Sequence, residues 1–414
     1  MEYVIIGNGG AGMRAAQAIR ELDLAGNVTL IDREPHRCYY RMMLPDYISG
    51  LKQRESVFVV DEGFYRDNRI DFRPGVTVAR LDTSGRTVVL KSGEALPYDR
   101  LLIAAGARPR PFELPGHELT GIVSLRTLEQ AEAILELAKQ AKQAVALGGG
   151  LLGVELARSF NELGLKTSYL IREDRFWPQM LDATGSAIVE RRLEEKGIHL
   201  RKQEGIEEVL GEAGKVTGVE TTSGEKLPAG LLGVAIGVIS NVEFLRGSGI
   251  ETRAGILVDE RLRTNLEDVY AAGDVAQAYD PVYGEHRVST SWMNALRTGQ
   301  AAGANMAGGE EKLAGSIAFN LISIYGIPVA GMGQNLAEGE GYETLTGDYP
   351  QGDVYKRFVL KNGKLIGATL IGETAEARAL ERLITAQVDV SDIRDRLLTE
   401  GFDLPAAARK LLEA

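Results

Sequence analysis

The feature that most constrains this chain is a glycine-rich loop of the pattern Gly-x-Gly-x-x-Gly, which occurs twice. Each copy follows a short apolar run that is typical of a strand and precedes apolar residues at helical spacing. Glycines let the backbone approach a pyrophosphate, and a helix N-terminus attracts the phosphate charge. The sequence therefore predicts two dinucleotide sites, with these pattern glycines: Gly7, Gly9 and Gly12 in the first copy, and Gly148, Gly150 and Gly153 in the second.

The segments around both loops complete two β-α-β units. The first loop follows a strand predicted over 3–6, and the next strand, 28–31, ends at Asp32. A carboxylate at that position suits a pair of ribose hydroxyls. The second loop follows a strand predicted over 144–147 and is succeeded by one over 167–171. A pair of purely structural glycine turns is the alternative, and the complete flanks argue against it.

A second repeated pattern indicates that the two units belong to similar folds. The run Ser-Gly-Glu-Ala-Leu-Pro at 92–97 leads into an apolar strand that ends at Gly106. The run Ser-Gly-Glu-Lys-Leu-Pro at 223–228 leads likewise into an apolar strand before Gly237. In each half, a turn-rich meander returns to a central strand, which predicts two similar α/β nucleotide-binding folds.

Composition excludes several classes of protein. A chain of 414 residues, 44% hydrophobic, suits two or three domains. The net charge of −11 argues against nonspecific nucleic-acid binding. No apolar run approaches the length of a membrane helix, and a first strand at Tyr3 leaves no room for a signal peptide, so a cytoplasmic protein is expected. One cysteine and four histidines give no iron-sulfur or metal-ligand spacing.

Three further segments carry a family resemblance: residues 98–106, 257–259 and, most specifically, 264–274, which reads Thr-Asn-Leu-Glu-Asp-Val-Tyr-Ala-Ala-Gly-Asp. With the two loops, they resemble the FAD-dependent pyridine nucleotide-disulfide oxidoreductases over most of the chain. Within that family, the chain looks most like rubredoxin reductases and the flavin modules of nitrite reductases. The resemblance implies an α/β fold with two Rossmann-like dinucleotide-binding domains, for FAD and NAD(P)H, and a C-terminal α+β domain.

The resemblance also implies an order of domains. Residues 1–109 and 241–305 are expected to bind FAD, and 110–240 to bind NAD(P)H. Residues 306–414 are expected to complete the flavin site or to form a dimer contact, so a homodimer is one arrangement that the resemblance allows. Independently, Asn362-Gly363 between two apolar runs predicts a two-residue hairpin in this last part.

For the FAD site, the resemblance assigns Asp274 to the ribityl chain and Arg41 to the pyrophosphate, although Arg41 has an alternative as an ordinary exposed arginine. Related flavoenzymes often carry a lysine five residues after this arginine, whereas this chain has Asp46, which changes the charge expected near the flavin. The other expected FAD contacts are Gly7, Gly9, Gly12, Asp32, Arg33, Val78, Ala105, Gly106 and Gly273.

For the NAD(P)H site, the expected contacts are Gly148, Gly150, Gly153, Glu155, Arg172, Glu173 and Gly237. Glu155 resembles the family glutamate near the nicotinamide and is the one catalytic residue expected. Its alternative is an acid that favours the helix dipole. Arg172 suits the 2′-phosphate of NADPH, whereas Glu173 suits the ribose of NADH. Glu173 and Asp174 together tilt the expectation slightly toward NADH.

The cysteine count separates the possible activities. Cys38 alone excludes dithiol chemistry within the chain, and single-cysteine relatives carry their cysteine two residues before Leu-Pro, where this chain has Met42. Electrons from NAD(P)H should then leave FAD directly for a small iron-sulfur carrier, rubredoxin or ferredoxin. The alternatives are an NADH oxidase or a coenzyme A disulfide or persulfide reductase using Cys38, and a non-catalytic flavoprotein subunit for docking or sensing.

A local excess of positive charge suggests where such a carrier docks. Small iron-sulfur carriers are commonly acidic, so cations beside the flavin would attract one while the rest of the chain repels it. Ordinary surface charge is the alternative. We call this group the basic segment: Arg33, Arg37, Arg41, Lys52 and Arg54.

Overall fold

The computed structural model describes residues 1–348 and 352–413. No helix among these residues has the length and apolar character needed to cross a membrane.

The strands and helices follow the predicted alternation with shifts of one or two residues at their ends. The strands are β1 (Glu2–Ile6), β2 (Asn27–Ile31), β3 (Ile70–Arg73), β4 (Val78–Asp82), β5 (Thr87–Leu90), β6 (Ala95–Pro97), β7 (Arg100–Ile103), β8 (Ala107–Pro109), β9 (Ile122–Val123), β10 (Gln143–Leu147), β11 (Lys166–Ile171), β12 (His199–Lys202), β13 (Ile206–Glu212), β14 (Lys215–Thr221), β15 (Lys226–Pro228), β16 (Leu231–Val234), β17 (Val238–Ser240), β18 (Ile256–Leu257), β19 (Val269–Ala271), β20 (Ala276–Asp280), β21 (Glu285–Val288), β22 (Phe319–Ile324), β23 (Ile327–Gly333), β24 (Tyr342–Asp348), β25 (Tyr355–Lys361) and β26 (Lys364–Ile371). The helices are α1 (Gly10–Leu22), α2 (Leu44–Ile48), α3 (Phe64–Asp67), α4 (Leu128–Ala138), α5 (Leu151–Glu162), α6 (Ala183–Glu195), α7 (Trp292–Met306), α8 (Ala377–Ala386) and α9 (Leu404–Glu413).

The chain divides into two compact units, each built from three segments. The first unit contains Met1–Tyr40, Phe58–Arg108 and Ile239–Phe319, and the second contains Arg41–Val57, Pro109–Val238 and Asn320–Ala414. The divisions at 108/109 and 238/239 lie close to those expected for the two nucleotide-binding folds. Residues 41–57 fall in the second unit. Of the C-terminal domain expected at 306–414, residues 306–319 fall in the first unit and the rest in the second. Which unit binds which nucleotide stays a prediction.

The first unit is built on a parallel sheet of order β19-β7-β1-β2-β3. A three-stranded antiparallel sheet, β4-β5-β6, leads into the inner strand β7. Helices α1 and α7 approach closely because glycines face the backbone of α1: a Cβ on Gly303 would lie 2.7 Å from Cα of Ala15. The core of this unit gathers the apolar residues of the parallel sheet with the small residues of α1 and α7.

The second unit repeats this plan. Its parallel sheet has the order β12-β11-β10-β16-β9, and the antiparallel sheet β13-β14-β15 leads into β16. The predicted duplication is therefore confirmed. Strand β10 and the second glycine loop occupy the same positions in this sheet as β1 and the first glycine loop occupy in the parallel sheet of the first unit.

The C-terminal part of the second unit is an antiparallel sheet of order β22-β23-β26-β25-β24 with helices α8 and α9. The predicted hairpin is confirmed: β25 and β26 are joined by Asn362 and Gly363, both with positive φ, as a type I′ turn requires. Polar contacts connect this sheet to α6, because the Tyr355 hydroxyl donates to the Asp182 carboxylate at 2.6 Å. Asp182 also caps α6 by accepting from the backbone N–H of Gly185.

Candidate functional site

The residues expected at the FAD site lie at one edge of the first parallel sheet. Strands β1, β2, β7 and β19 end at residues 6, 31, 103 and 271, and the predicted contacts follow directly after each of them. Carboxyl ends of parallel strands meet at the same edge, which is where α/β folds bind ligands. The structure thus brings together the first loop, Asp32, the pair Ala105 and Gly106, and the pair Gly273 and Asp274.

The glycines of the first loop differ in their surroundings. Gly7 has φ +108°, and a Cβ there would overlap the carbonyl of Ala104; a Cβ at Gly12 would overlap the carbonyl oxygen of Gly7. No described atom lies within 4 Å of a Cβ built at Gly9. The first and third glycines are therefore required by packing, whereas the middle one leaves backbone accessible, as a pyrophosphate contact needs.

Asp32 fixes the loop beside it. Its Oδ2 accepts a hydrogen bond from the backbone N–H of Asn8 at 2.5 Å, and its Oδ1 accepts one from Glu34 at 2.7 Å. A carboxylate has about four acceptor positions, so it can accept hydrogen bonds from more than one group at once. The half-buried Asp32 carboxylate can therefore hold the loop and a ribose together.

The remaining predicted FAD residues differ in how firmly they are placed. Gly106, at φ +64°, and Ala105 are held by Asn241, whose backbone N–H donates to the Gly106 carbonyl and whose Nδ2 donates to that of Ala105 at 2.7 Å. Gly273 donates its backbone N–H to Thr298 Oγ1 at 3.0 Å, which positions the half-buried Asp274 beside it. Val78 is half-buried at the start of β4, and Arg33 is exposed.

A buried contact that sequence reasoning missed joins the first loop to the cysteine. The Tyr65 hydroxyl is hydrogen-bonded to the Asn8 side-chain amide and accepts from the backbone N–H of Cys38 at 2.9 Å. Burial raises the pKa of Tyr65 to about 12. Cys38 itself is 1% exposed. Nothing in the local sequence indicates this contact, because Tyr65 lies 57 residues from Asn8.

The second unit presents an equivalent edge. A Cβ at Gly148 (φ +131°) would overlap the Ala235 carbonyl, and one at Gly153 would overlap the Gly148 carbonyl, whereas no described atom lies within 4 Å of a Cβ at Gly150. Gly237, after β16, has φ +103° and accepts from the backbone N–H of Arg110. The same division between packed and accessible glycines thus recurs, and the edge fits a second dinucleotide.

The two side chains that follow β11 point in different directions. The Glu173 carboxylate lies against the second loop, 2.6 Å from the position of a Cβ on Gly149. The Arg172 side chain is exposed and runs beside Gly205, with its Nε 3.4 Å from a Cβ built there. Of the two residues expected to select the nucleotide, only Glu173 thus faces the loop.

Glu155, the expected catalytic residue, lies half-buried on α5. Burial, reinforced by the negative charge of Asp46 and opposed by Arg158, raises the pKa of Glu155 to about 7. Arg158 donates to the Asp46 carboxylate at 2.5 Å and was not singled out by the sequence. The available signal was its place one helical turn after Glu155, on the same face of α5.

The basic segment is divided between the two units. In the first unit, Arg37 lies over the Phe58 ring at 3.9 Å and pairs with Glu62 at 3.5 Å. In the second, Arg54 pairs with Glu132 at 2.8 Å, and Arg41 donates to the carbonyl oxygen of Arg126 at 2.6 Å. Part of the expected positive charge is therefore neutralised locally, and the contact of Arg41 with FAD stays a prediction.

Comparison with known proteins agrees with this geometry. Residues 1–299 match the family model described as pyridine nucleotide-disulphide oxidoreductase, and residues 319–388 match the rubredoxin NAD+ reductase C-terminal domain. The biphenyl dioxygenase system ferredoxin-NAD(+) reductase component of Paraburkholderia xenovorans is 31% identical over 99% of this chain and 98% of its own length.

Two further similarities extend the comparison. The nitrite reductase [NAD(P)H] of Bacillus subtilis is 29% identical over 94% of this chain, which spans only 48% of that protein's length. Among solved structures, a NAD-dependent persulfide reductase from A. fulgidus is 27% identical, with a TM-score of 0.89 over 100% of this chain and 83% of that one. These matches confirm the expected family, fold class and cofactors, FAD and NAD(P)H. The chain belongs to the pyridine nucleotide-disulphide oxidoreductase family.

Proposed function

We propose that this protein is an FAD-dependent NADH oxidoreductase that passes electrons to a small iron-sulfur protein, rubredoxin or ferredoxin. The observation that carries the proposal is the combination of two glycine loops, each at the carboxyl ends of a parallel sheet, with a single cysteine. A disulfide within the chain cannot form, so electrons that arrive from NADH have no dithiol to enter. FAD supplies the chemistry that remains, because it takes up a hydride and releases electrons singly.

The chain's own residues would bind FAD and NADH and orient them. The loop of Gly7, Gly9 and Gly12 would hold the FAD pyrophosphate at the N-terminus of α1, and Asp32 the ribose. Asp274 would accept hydrogen bonds from the ribityl hydroxyls. In the second unit, the loop of 148–153 would hold the NADH pyrophosphate, with Glu155 at its nicotinamide end. This division of roles follows the family and is supported by the two equivalent edges.

A carrier protein as the acceptor is supported by the full-length similarity to a ferredoxin-NAD(+) reductase component. A C-terminal region of the rubredoxin reductase type points the same way. A homodimer and a cytoplasmic location, expected from the sequence, remain part of this proposal.

The test is an acceptor screen of the FAD-loaded protein. NADH oxidation is measured anaerobically with a rubredoxin, a [2Fe-2S] ferredoxin and an artificial dye. We expect rapid dye reduction and at least one carrier that saturates as a substrate. The Asp274→Ala variant should be isolated largely without FAD. Dye reduction without turnover of either carrier would contradict the proposed acceptor.

The second candidate is a thiol-dependent reductase that uses Cys38, which the likeness to a persulfide reductase favours. Cys38 lies at the first loop, held by Tyr65. Cys38→Ala decides between the two candidates: direct electron transfer predicts dye and carrier reduction within about threefold of the parent protein, which is under 1 kcal/mol of barrier. A loss of about a hundredfold or more would favour the thiol route.

A further inference from the structure

On helix α5, the acid Glu155 and the cation Arg158 lie one turn apart, beside the short helix α2. Arg158 Nη2 donates to Asp46 Oδ1 at 2.5 Å, and its Nε lies 3.9 Å from Glu162 Oε2. The Ser159 hydroxyl donates to the carbonyl oxygen of Pro45 at 3.2 Å, so backbone contact as well as the ion pair holds α2 against α5. The position of Asp46 relative to Glu155 is therefore set by two independent contacts.

This group contains more acidic side chains than basic ones. One guanidinium, on Arg158, is shared by the carboxylates of Asp46 and Glu162, and Glu155 adds a third acid within two turns of the same helix. Arg158 is 9% exposed, so water screens its charge weakly. Burial raises the pKa of Glu155, the charge of Arg158 opposes that rise, and the charge of Asp46 adds to it.

The other elements packed against α5 add little charge. Strands β10 and β16 contain no ionisable side chain, and Lys166 of β11 is exposed. Tyr169 of β11 donates its hydroxyl to the Gly148 carbonyl and has a pKa raised by burial, so it is neutral. At the far end of α5, Tyr325 donates to Asn161 and likewise has a raised pKa. Asp46 and Arg158 are thus the charges that govern Glu155 within this unit.

We propose that Asp46, Arg158 and Glu155 form a proton-holding cluster, in which Asp46 and Arg158 are positioning residues that control whether Glu155 is neutral or ionised. Asp46 places a negative charge where a lysine at the same position would place a positive one. Asp46 favours the neutral acid and Arg158 favours the carboxylate, so the two oppose each other. The proton is exchanged with solvent and no bond other than O–H changes.

The consequence for the nucleotide rests on the proposed function, which places the nicotinamide end at Glu155. The nicotinamide ring is cationic in NAD+ and neutral in NADH. An ionised Glu155 therefore attracts NAD+, whereas a neutral Glu155 does not and can donate a hydrogen bond to a carboxamide oxygen. The cluster then makes NAD+ affinity depend on pH near neutrality, while NADH affinity changes less.

Infrared titration of the oxidised, FAD-loaded protein without NADH or NAD+ measures whether Glu155 is protonated. We expect a carboxylic acid C=O band that disappears as the pH rises through about 7 and is absent from Glu155→Gln. The two positioning residues have opposite expected effects. Asp46→Asn should lower the midpoint by about half to one pH unit, and Arg158→Gln should raise it. Glu136→Gln, an exposed acid on α4, serves as the control and should leave the midpoint unchanged.

The binding test uses NAD+ and the same proteins. Its affinity for the oxidised holoenzyme should rise roughly three- to tenfold between about pH 6 and pH 8, and the rise should be absent from Glu155→Gln. If the infrared titration responds as expected but NAD+ affinity does not change with pH, the cluster is supported and its place at the nicotinamide is overturned.

The opposite pattern of results would overturn the cluster without contradicting the proposed function. NADH reduction of FAD with no titrating band, or with a midpoint that Asp46→Asn leaves in place, overturns the cluster and leaves the proposed function standing. Should Arg158→Gln fail to fold because its guanidinium is buried, the direction of the Asp46→Asn shift decides alone.

Discussion

At the residue scale, the two side chains after β11 give opposite expectations for nucleotide choice, and their geometry separates them. Glu173 faces the second loop, whereas Arg172 runs beside Gly205. An acid at this position accepts from the ribose hydroxyls of NADH and repels a 2′-phosphate. Glu173→Gln should therefore raise the KM for NADH about tenfold, and Arg172→Ala should leave it within about twofold. A collapse of NADPH turnover in Arg172→Ala, from a parent that prefers NADPH, would contradict this.

Also at the residue scale, the raised pKa of Glu155 predicts a pH dependence of stability. The folded protein holds this proton more tightly than the unfolded chain, so the contribution is complete below about pH 4.5 and is lost as the pH rises to about 7. Glu155→Gln should abolish that loss, which amounts to about 1–3 kcal/mol. Urea denaturation of the holoenzyme between pH 4.5 and 8 measures it, as the difference between variant and parent. Equal pH slopes for the two proteins would show that Glu155 ionises normally.

At the scale of elements, the close packing of α7 against α1 depends on glycines, which have no side chain. A Cβ on Gly303 would overlap the Ala15 carbonyl. Gly303→Ala should destabilise the protein by about 1–3 kcal/mol, since neither helix can move without disturbing the sheet. Because α1 carries the first loop, the variant should also retain less FAD. Glu21→Ala, on the exposed side of α1, is the control and should change stability by under about 0.5 kcal/mol. Thermal unfolding and flavin absorbance measure the two effects.

At the scale of the whole molecule, charge governs encounter with the acceptor. The chain carries a net charge of −11, which repels an acidic carrier except where cations gather. Arg37 and Arg54 form ion pairs with Glu62 and Glu132, so the exposed Lys52 is a better probe of the basic segment.

Lys52→Glu should raise the KM for an iron-sulfur carrier and weaken its dependence on salt, because screening shortens from about 30 Å at 0.01 M to about 8 Å at 0.15 M. Reduction of FAD by NADH should not change. Lys215→Glu, the same change at the exposed first residue of β14, serves as the control. Equal effects of the two substitutions would mean that net charge matters and the basic segment does not.

The sequence by itself determined the two Rossmann-like folds, their glycine loops and the Asn362-Gly363 hairpin. These features follow from local rules: alternation of strand and helix patterns, and the backbone angles that only certain residues adopt. Tertiary structure alone decided that Asp46 meets Arg158, 112 residues away in the chain, and that Glu173 faces the loop while Arg172 does not. Side-chain direction and pairing between distant segments arise from packing, and packing is not encoded in any local window of the chain.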